Sequence, residues 1–300
     1  MLILVPVIQF MLLRNLKSNN HATAAAISRS LQVTMNQAAG IFRSSLRRFA
    51  RFNIDYFLLC RKGVEHMLAQ AQDVELIGAE QLAPFVDSTR PVIIVTMHMG
   101  NFQMGFLKLV SAIRTRRKIS VFKVSGADRN EEVLLAAFGR CGHDISILRA
   151  TEDGGRQAFM ELRRGNVVAM TVDIEVHVTT REEVVFFGHP CQMQSGPAQL
   201  AVMTRAVIIP VITYDAADGR QMVRVEQPLY SEAAYEGESN RQAVHRLTQN
   251  IASLLESWIR IDPRQVMFWS GLAETIWHRP PSMPAKADLA PAAGQEAVSA

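Results

Sequence analysis

Three of the strand candidates in this chain are mostly apolar and rich in β-branched residues: PVIIVTM (91–97), NVVAMTVD (166–173) and VIIPVITYD (207–215). A strand with one wet face alternates apolar and polar residues. A strand apolar throughout has to be covered on both faces, as in a parallel sheet between two layers of helices. That requirement places the chain in the α/β class. The runs VELIGA, KISVFKV, ISILRA, EVVFFG and QMVRVEQPL supply further strand candidates, and helical patterns at 102–114, 130–140, 155–164, 197–205 and 240–260 lie between them. The alternation predicts a mostly parallel central sheet flanked by helices.

Ahead of that alternation, residues 23–74 keep helical spacing, with Ile27, Leu31, Ile41, Phe42, Phe49, Phe52, Tyr56 and Phe57 mostly three or four apart. They predict an N-terminal helical arm leading into a main domain at 75–278. The final stretch, RPPSMPAKADLAPAAGQEAVSA, is rich in Pro and Ala without periodicity and predicts a disordered tail at 279–300. With 300 residues and 48% apolar content the chain can bury a full core. Its three cysteines, Cys60, Cys141 and Cys191, have neither paired nor metal-ligand spacing, which points to a reducing compartment.

The net charge is only +4, yet residues 1–54 hold Arg14, Lys17, Arg29, Arg43, Arg47, Arg48 and Arg51 and no acid at all. Near an anionic lipid surface each such cation contributes roughly 1 kcal/mol. The opening MLILVPVIQFMLL is shorter than the roughly 20 residues a spanning helix needs. Its positive charge follows the apolar run instead of preceding it, unlike a signal peptide. Residues 1–22 therefore read as an interfacial anchor, peripheral or monotopic at the cytoplasmic face of a membrane. No basic stretch is interleaved with stacking aromatics, so the expected partner is a lipid surface and not nucleic acid.

PVIIVTM runs into His98, Gly100, Asn101, Phe102 and Gln103. In open α/β sheets ligands bind beyond the carboxyl ends of strands, and His98 falls at such an end. Gly100 permits a tight turn, and Asn101 can cap a helix beginning near Phe102. On local grounds alone, a lone histidine here is more often a satisfied structural residue than a catalytic one.

Read together with VVFFGHPCQMQSGPAQLAVMTRAVIIPVITY, the HMGNF corner resembles the lysophospholipid acyltransferase superfamily. The likeness is closest to its branch of bacterial lipid A late acyltransferases and phosphatidylinositol mannoside acyltransferases. The matching pieces are 98–103, 163–173, 186–188, 196–198 and 207–211, and ESWIRIDPRQVMFW at 256–269 resembles the closing segment of that branch. The resemblance implies a glycerolipid acyltransferase-like fold and transfer of a fatty acyl group from an acyl carrier protein or coenzyme A thioester to a lipid or glycolipid hydroxyl. His98 would be general base. No metal or other cofactor is implied, and His143, His177 and His189 lack metal-site spacing.

The same pattern places an acid five residues after the histidine, where this chain has Gln103. An amide oxygen can fix the imidazole tautomer, but it brings no charge to stabilise an imidazolium. Three readings follow: another carboxylate serves, the acceptor is an amine or activated hydroxyl that needs less help, or the site is impaired and binds lipid or acyl chains without turnover. For the first, the resemblance offers Glu183, just before VVFFG, while Asp173 and Glu175 end the neighbouring strand. Asp173 serves equally well as a turn cap, and Glu183 as a solvated loop residue. Arg140 would suit an anionic substrate group or the oxyanion, or merely a helix dipole. Gly196 and Pro197 resemble a substrate-pocket motif, and Pro in a first helical turn is also ordinary helix chemistry.

Overall fold

A computed structural model describes residues 20–86, 88–112, 117–123, 129–149, 151–174, 180–232 and 236–277. The expected anchor, apart from residues 20–22, and the expected tail lie outside the described residues. Three helices come first: α1 (Asn20–Leu31), α2 (Met35–Lys62) and α3 (Val64–Gln72). Helix α2 starts in a reciprocal capping box between Thr34 and Gln37 and ends at Gly63 with φ 89°. Next come β1 (Glu75–Ile77), α4 (Ala83–Val86), β2 (Val92–Thr96), α5 (Phe102–Ala112), β3 (Ile119–Lys123), α6 (Arg129–Arg140) and β4 (Ile145–Arg149). The chain continues through α7 (Glu152–Arg163), β5 (Val167–Thr171), β6 (Arg181–Phe186), β7 (His189–Gln194) and α8 (Gly196–Thr204). It closes with β8 (Val207–Asp215), β9 (Gln221–Val225), α9 (Asn240–Ile261) and α10 (Trp269–Trp277).

Seven strands form one sheet in the order β1-β9-β8-β2-β5-β3-β4. Every pairing is parallel except β8 with β9. The three long apolar runs are its middle, β8-β2-β5, where burial on both faces favours such residues. Ile93, Val95, Val168 and Ile208 face a core shared with α1, α2, α8 and α9; Ile94, Ala169 and Ile209 face the core under α3, α5 and α6. The helical arm therefore contributes to the same two cores as the sheet.

Strands β6 and β7 form a separate antiparallel hairpin. Only β6 is expected from the sequence; β7, HPCQMQ, carries Pro190 and three polar residues, as an edge strand in a two-stranded ribbon tolerates. Phe187 (φ 49°) and Gly188 (φ 76°) make its two-residue turn, the left-handed geometry that matches strand twist. A bulky residue seldom adopts positive φ; here the Phe187 N–H donates to Glu256 Oε1 at 2.6 Å and Arg260 lies 4.9 Å over its ring. The Phe-Phe-Gly motif is thus a turn device.

Candidate active site

Parallel register fixes the centre of the site. Strand β2 pairs with β5 at a constant offset, Val92↔Val167 through Thr96↔Thr171, and two residues beyond the last pair stand His98 and Asp173. Side chains two apart share a face of a strand, so imidazole and carboxylate meet side by side. His98 Nδ1 lies 2.8 Å from Asp173 Oδ1, and the His98 backbone N–H donates to Asp173 Oδ2 at 2.8 Å. The carboxylate side chain is fully buried and the imidazole is 13% exposed. An ionised carboxylate accepts only, so this contact assigns the proton to Nδ1 and leaves Nε2 as the basic nitrogen.

The imidazole is packed between two rings. Phe102 and Phe268 each meet it edge-on with centroids 4.8 Å away, and Phe52 and Phe49 of α2 pack behind them at 5.3 Å and 5.5 Å. The His98 carbonyl accepts from the Met267 N–H at 2.9 Å, and Met99 bridges Val266. Upstream, Gln265 is buried and pairs with both backbone groups of Asp215 at 2.7 Å, so the Pro-x-Gln segment ties the end of β8 to the histidine corner. Burial disfavours the charge of nearby Asp262, but hydrogen bonds from Arg264 and Gln265 outweigh it and hold the carboxyl below its ordinary range.

At Gly100 φ is 58°, and an added Cβ would lie 2.7 Å from Tyr214 Cα and 2.9 Å from the Thr213 carbonyl oxygen. Both the handedness and the space require glycine there. Asn101 stands at the start of α5, its carbonyl accepting from the Gly105 N–H at 3.0 Å. A cavity of about 850 Å³ opens at this corner, lined by His98, Gln103, Gly196 and Pro197 and, more deeply, by Ile94, Phe106 and Phe138. Its walls are mainly apolar, the character of a site that takes a hydrocarbon.

Residues 32–270 match the family described as bacterial lipid A biosynthesis acyltransferase. The chain belongs to this family. A phosphatidylinositol mannoside acyltransferase of Mycolicibacterium smegmatis (strain ATCC 700084 / mc(2)155) is 23% identical over 231 residues, covering 75% of this chain and 72% of the relative. Another, from Mycobacterium tuberculosis (strain CDC 1551 / Oshkosh), is 25% identical over 227 residues, covering 74% and 69%. Membership assigns the protein to the enzymes that acylate lipids or glycolipids.

In this acyltransferase-family protein the fold brings His98, Gly100, Asn101, Gln103, Asp173, Gly196 and Pro197 to one end of the sheet. It does not bring Glu183 there. That residue is exposed on β6 opposite Gln192, and the carboxylate at the imidazole is Asp173. Arg140 ends α6 on the surface, 67% exposed and 2.6 Å from Glu65, and does not line the cavity. Glu175 lies outside the described residues. Three of the five lining threonines among the described residues, Thr96, Thr171 and Thr213, are not singled out by the sequence, although the first two each stand two residues before His98 and Asp173. Among the described residues no helix is long and apolar enough to cross a membrane, and no group of three metal-ligating side chains gathers.

Proposed function

We propose that the protein transfers a fatty acyl group from an acyl carrier protein or coenzyme A thioester to a hydroxyl of a lipid or glycolipid at a membrane surface. The observation that carries this reading is the 2.8 Å His98–Asp173 pair at the mouth of an apolar cavity of about 850 Å³. The acceptor hydroxyl gives its proton to His98 Nε2 as its oxygen attacks the thioester carbonyl carbon. Collapse of the tetrahedral intermediate breaks the C–S bond, and the imidazolium returns the proton to the departing thiolate. Asp173 stabilises the imidazolium throughout and holds its tautomer.

Gln103 prompted the reading of an impaired, binding-only site because it brings no charge. Asp173 places a carboxylate 2.8 Å from the imidazole and so favours turnover. Helix α2 supports action at a lipid surface: its Phe49 and Phe52 back the rings beside His98, while Phe57 on the same helix is 48% exposed. The peripheral placement at the cytoplasmic face belongs to this proposal. Its test is transfer of a labelled acyl group from both thioester donors to a bacterial lipid extract, read by mass spectrometry. His98→Ala should abolish the acylated product, and undiminished turnover in that variant overturns the mechanism.

A further inference from the structure

The cavity wall is graded, and the strands supply the scale. On the face that carries the dyad, β2 places His98, Thr96 and Ile94 at successive levels, and β5 places Asp173, Thr171 and Ala169 beside them. Two residues of a parallel strand span about 6.6 Å, so one polar level lies directly beneath the dyad and the next level down is apolar. Across from it, on the first turn of α5, Gln103 lines the same cavity. Below this level the lining residues Val121, Ile145, Ile147 and Leu134 offer only hydrocarbon.

Two of these polar side chains are poorly served among the described residues. Gln103 Oε1 is buried without a partner among the described residues. Among the described residues Thr96 makes only a 3.5 Å contact with the Met97 carbonyl. A plain hydrocarbon filling the cavity would expel water from this level and leave its polar groups unpaired, at about 1–3 kcal/mol for each one buried. A hydroxyl both donates and accepts, so it satisfies the Gln103 amide in either orientation and either threonine as well.

We propose that the acyl chain this protein prefers carries a hydroxyl a few carbons from its carbonyl, recognised by Gln103 with Thr96 and Thr171. This rests on the acyl-transfer reading above, because only that reading puts the carbonyl at His98 and sends the chain past this level toward the apolar floor. Position 103 then acts as a specificity residue for the donor.

The test titrates full-length protein with β-hydroxymyristic acid and with myristic acid, by calorimetry. The hydroxy acid should bind about tenfold more tightly, the yield of one satisfied buried hydrogen bond. Gln103→Leu should erase the preference by weakening the hydroxy acid while leaving myristate binding unchanged or tighter. Thr171→Val, nearly isosteric, should reduce the preference if Gln103→Leu fails to fold. Equal affinities in the parent protein, or a preference that survives in both variants, overturn the inference. Turnover of the two corresponding thioesters separates the two claims. A binding preference without turnover of either thioester sinks the acyl-transfer reading, and turnover of both with equal kcat/KM sinks the hydroxyl preference.

Discussion

Replacing Asp173 by Asn is the sharpest perturbation of the dyad, because it keeps shape and removes only charge and one acceptor. The carboxylate lies 2.8 Å from both the His98 ring nitrogen and the His98 backbone N–H, and its side chain is fully buried. An imidazolium and a carboxylate whose charges are about 4 Å apart attract by about 4 kcal/mol at an effective dielectric near 20. That attraction exists only once the imidazole has taken the proton, so its loss falls on the transition state and amounts to about a thousandfold in kcat. The amide NH2 would also face one of the two N–H groups of His98, costing about 1–3 kcal/mol of stability or forcing the other tautomer. Thiol release from an acyl thioester, followed with saturating acceptor, should show kcat reduced by about a thousandfold with KM nearly unchanged. Glu183→Gln should leave both constants at parent values. A folded Asp173→Asn protein whose kcat stays within about threefold of the parent would refute the charge argument.

Gln103→Glu should bring no gain in rate, because the imidazole already has its carboxylate; a rise of about tenfold or more in kcat would show that the charge at Asp173 is not the one used. An added Cβ at Gly105 would fall onto the Thr213 side chain, 2.7 Å from Cγ2 and 3.0 Å from Cβ. Gly105→Ala should therefore cost about 1–3 kcal/mol in denaturant unfolding, and the added change Thr213→Ala should recover much of it. Burial, with smaller help from the charges of Glu256 and Glu183, pushes the Cys191 thiol up to about 12. A folded pKa raised above the unfolded value of 9.0 means stability complete below pH 9 and lost as pH rises toward 12, by about 1.4 kcal/mol per pH unit. Unfolding of Cys191→Ala followed across that window should lack this part of the alkaline slope, and an unchanged slope would remove the assignment.

The sheet was legible because burial on both faces favours apolar residues in its middle strands, and β2, β5 and β8 are the three long apolar runs. The histidine corner was legible because Gly100 and Asn101 are local signals: a positive φ and a helix start depend on neighbours in sequence. The partner of His98 was harder to see. Asp173 is 75 positions away, and only the adjacency of β2 and β5 brings it to the imidazole. Nothing local distinguishes a catalytic aspartate at a strand end from a cap. A trace of the register is nevertheless present, since VIIVTMH and VVAMTVD are equal in length and carry threonine at the same place. Glu183 drew notice through the family resemblance, at its place just before VVFFG, but β6 belongs to a separate hairpin whose Glu183 side faces solvent. Strand β7 was missed because Pro190 and three polar residues suppress its β signal.

Where the carboxylate sits decides what else the corner can do. A carboxylate on α5 would stand in the cavity wall, exposed to whatever the cavity binds, and a buried anion there would oppose any hydrocarbon that displaced its water. Asp173 is instead anchored by two hydrogen bonds from His98, one from the ring and one from the backbone, behind the imidazole and away from solvent. Strand register places it with the precision of a β-ladder, whereas a helix-corner acid would depend on a flexible side chain. With orientation and charge both supplied from β5, position 103 is relieved of either task, and a neutral amide there can meet a substrate hydroxyl that a charged side chain would bind only with its own counter-charge present.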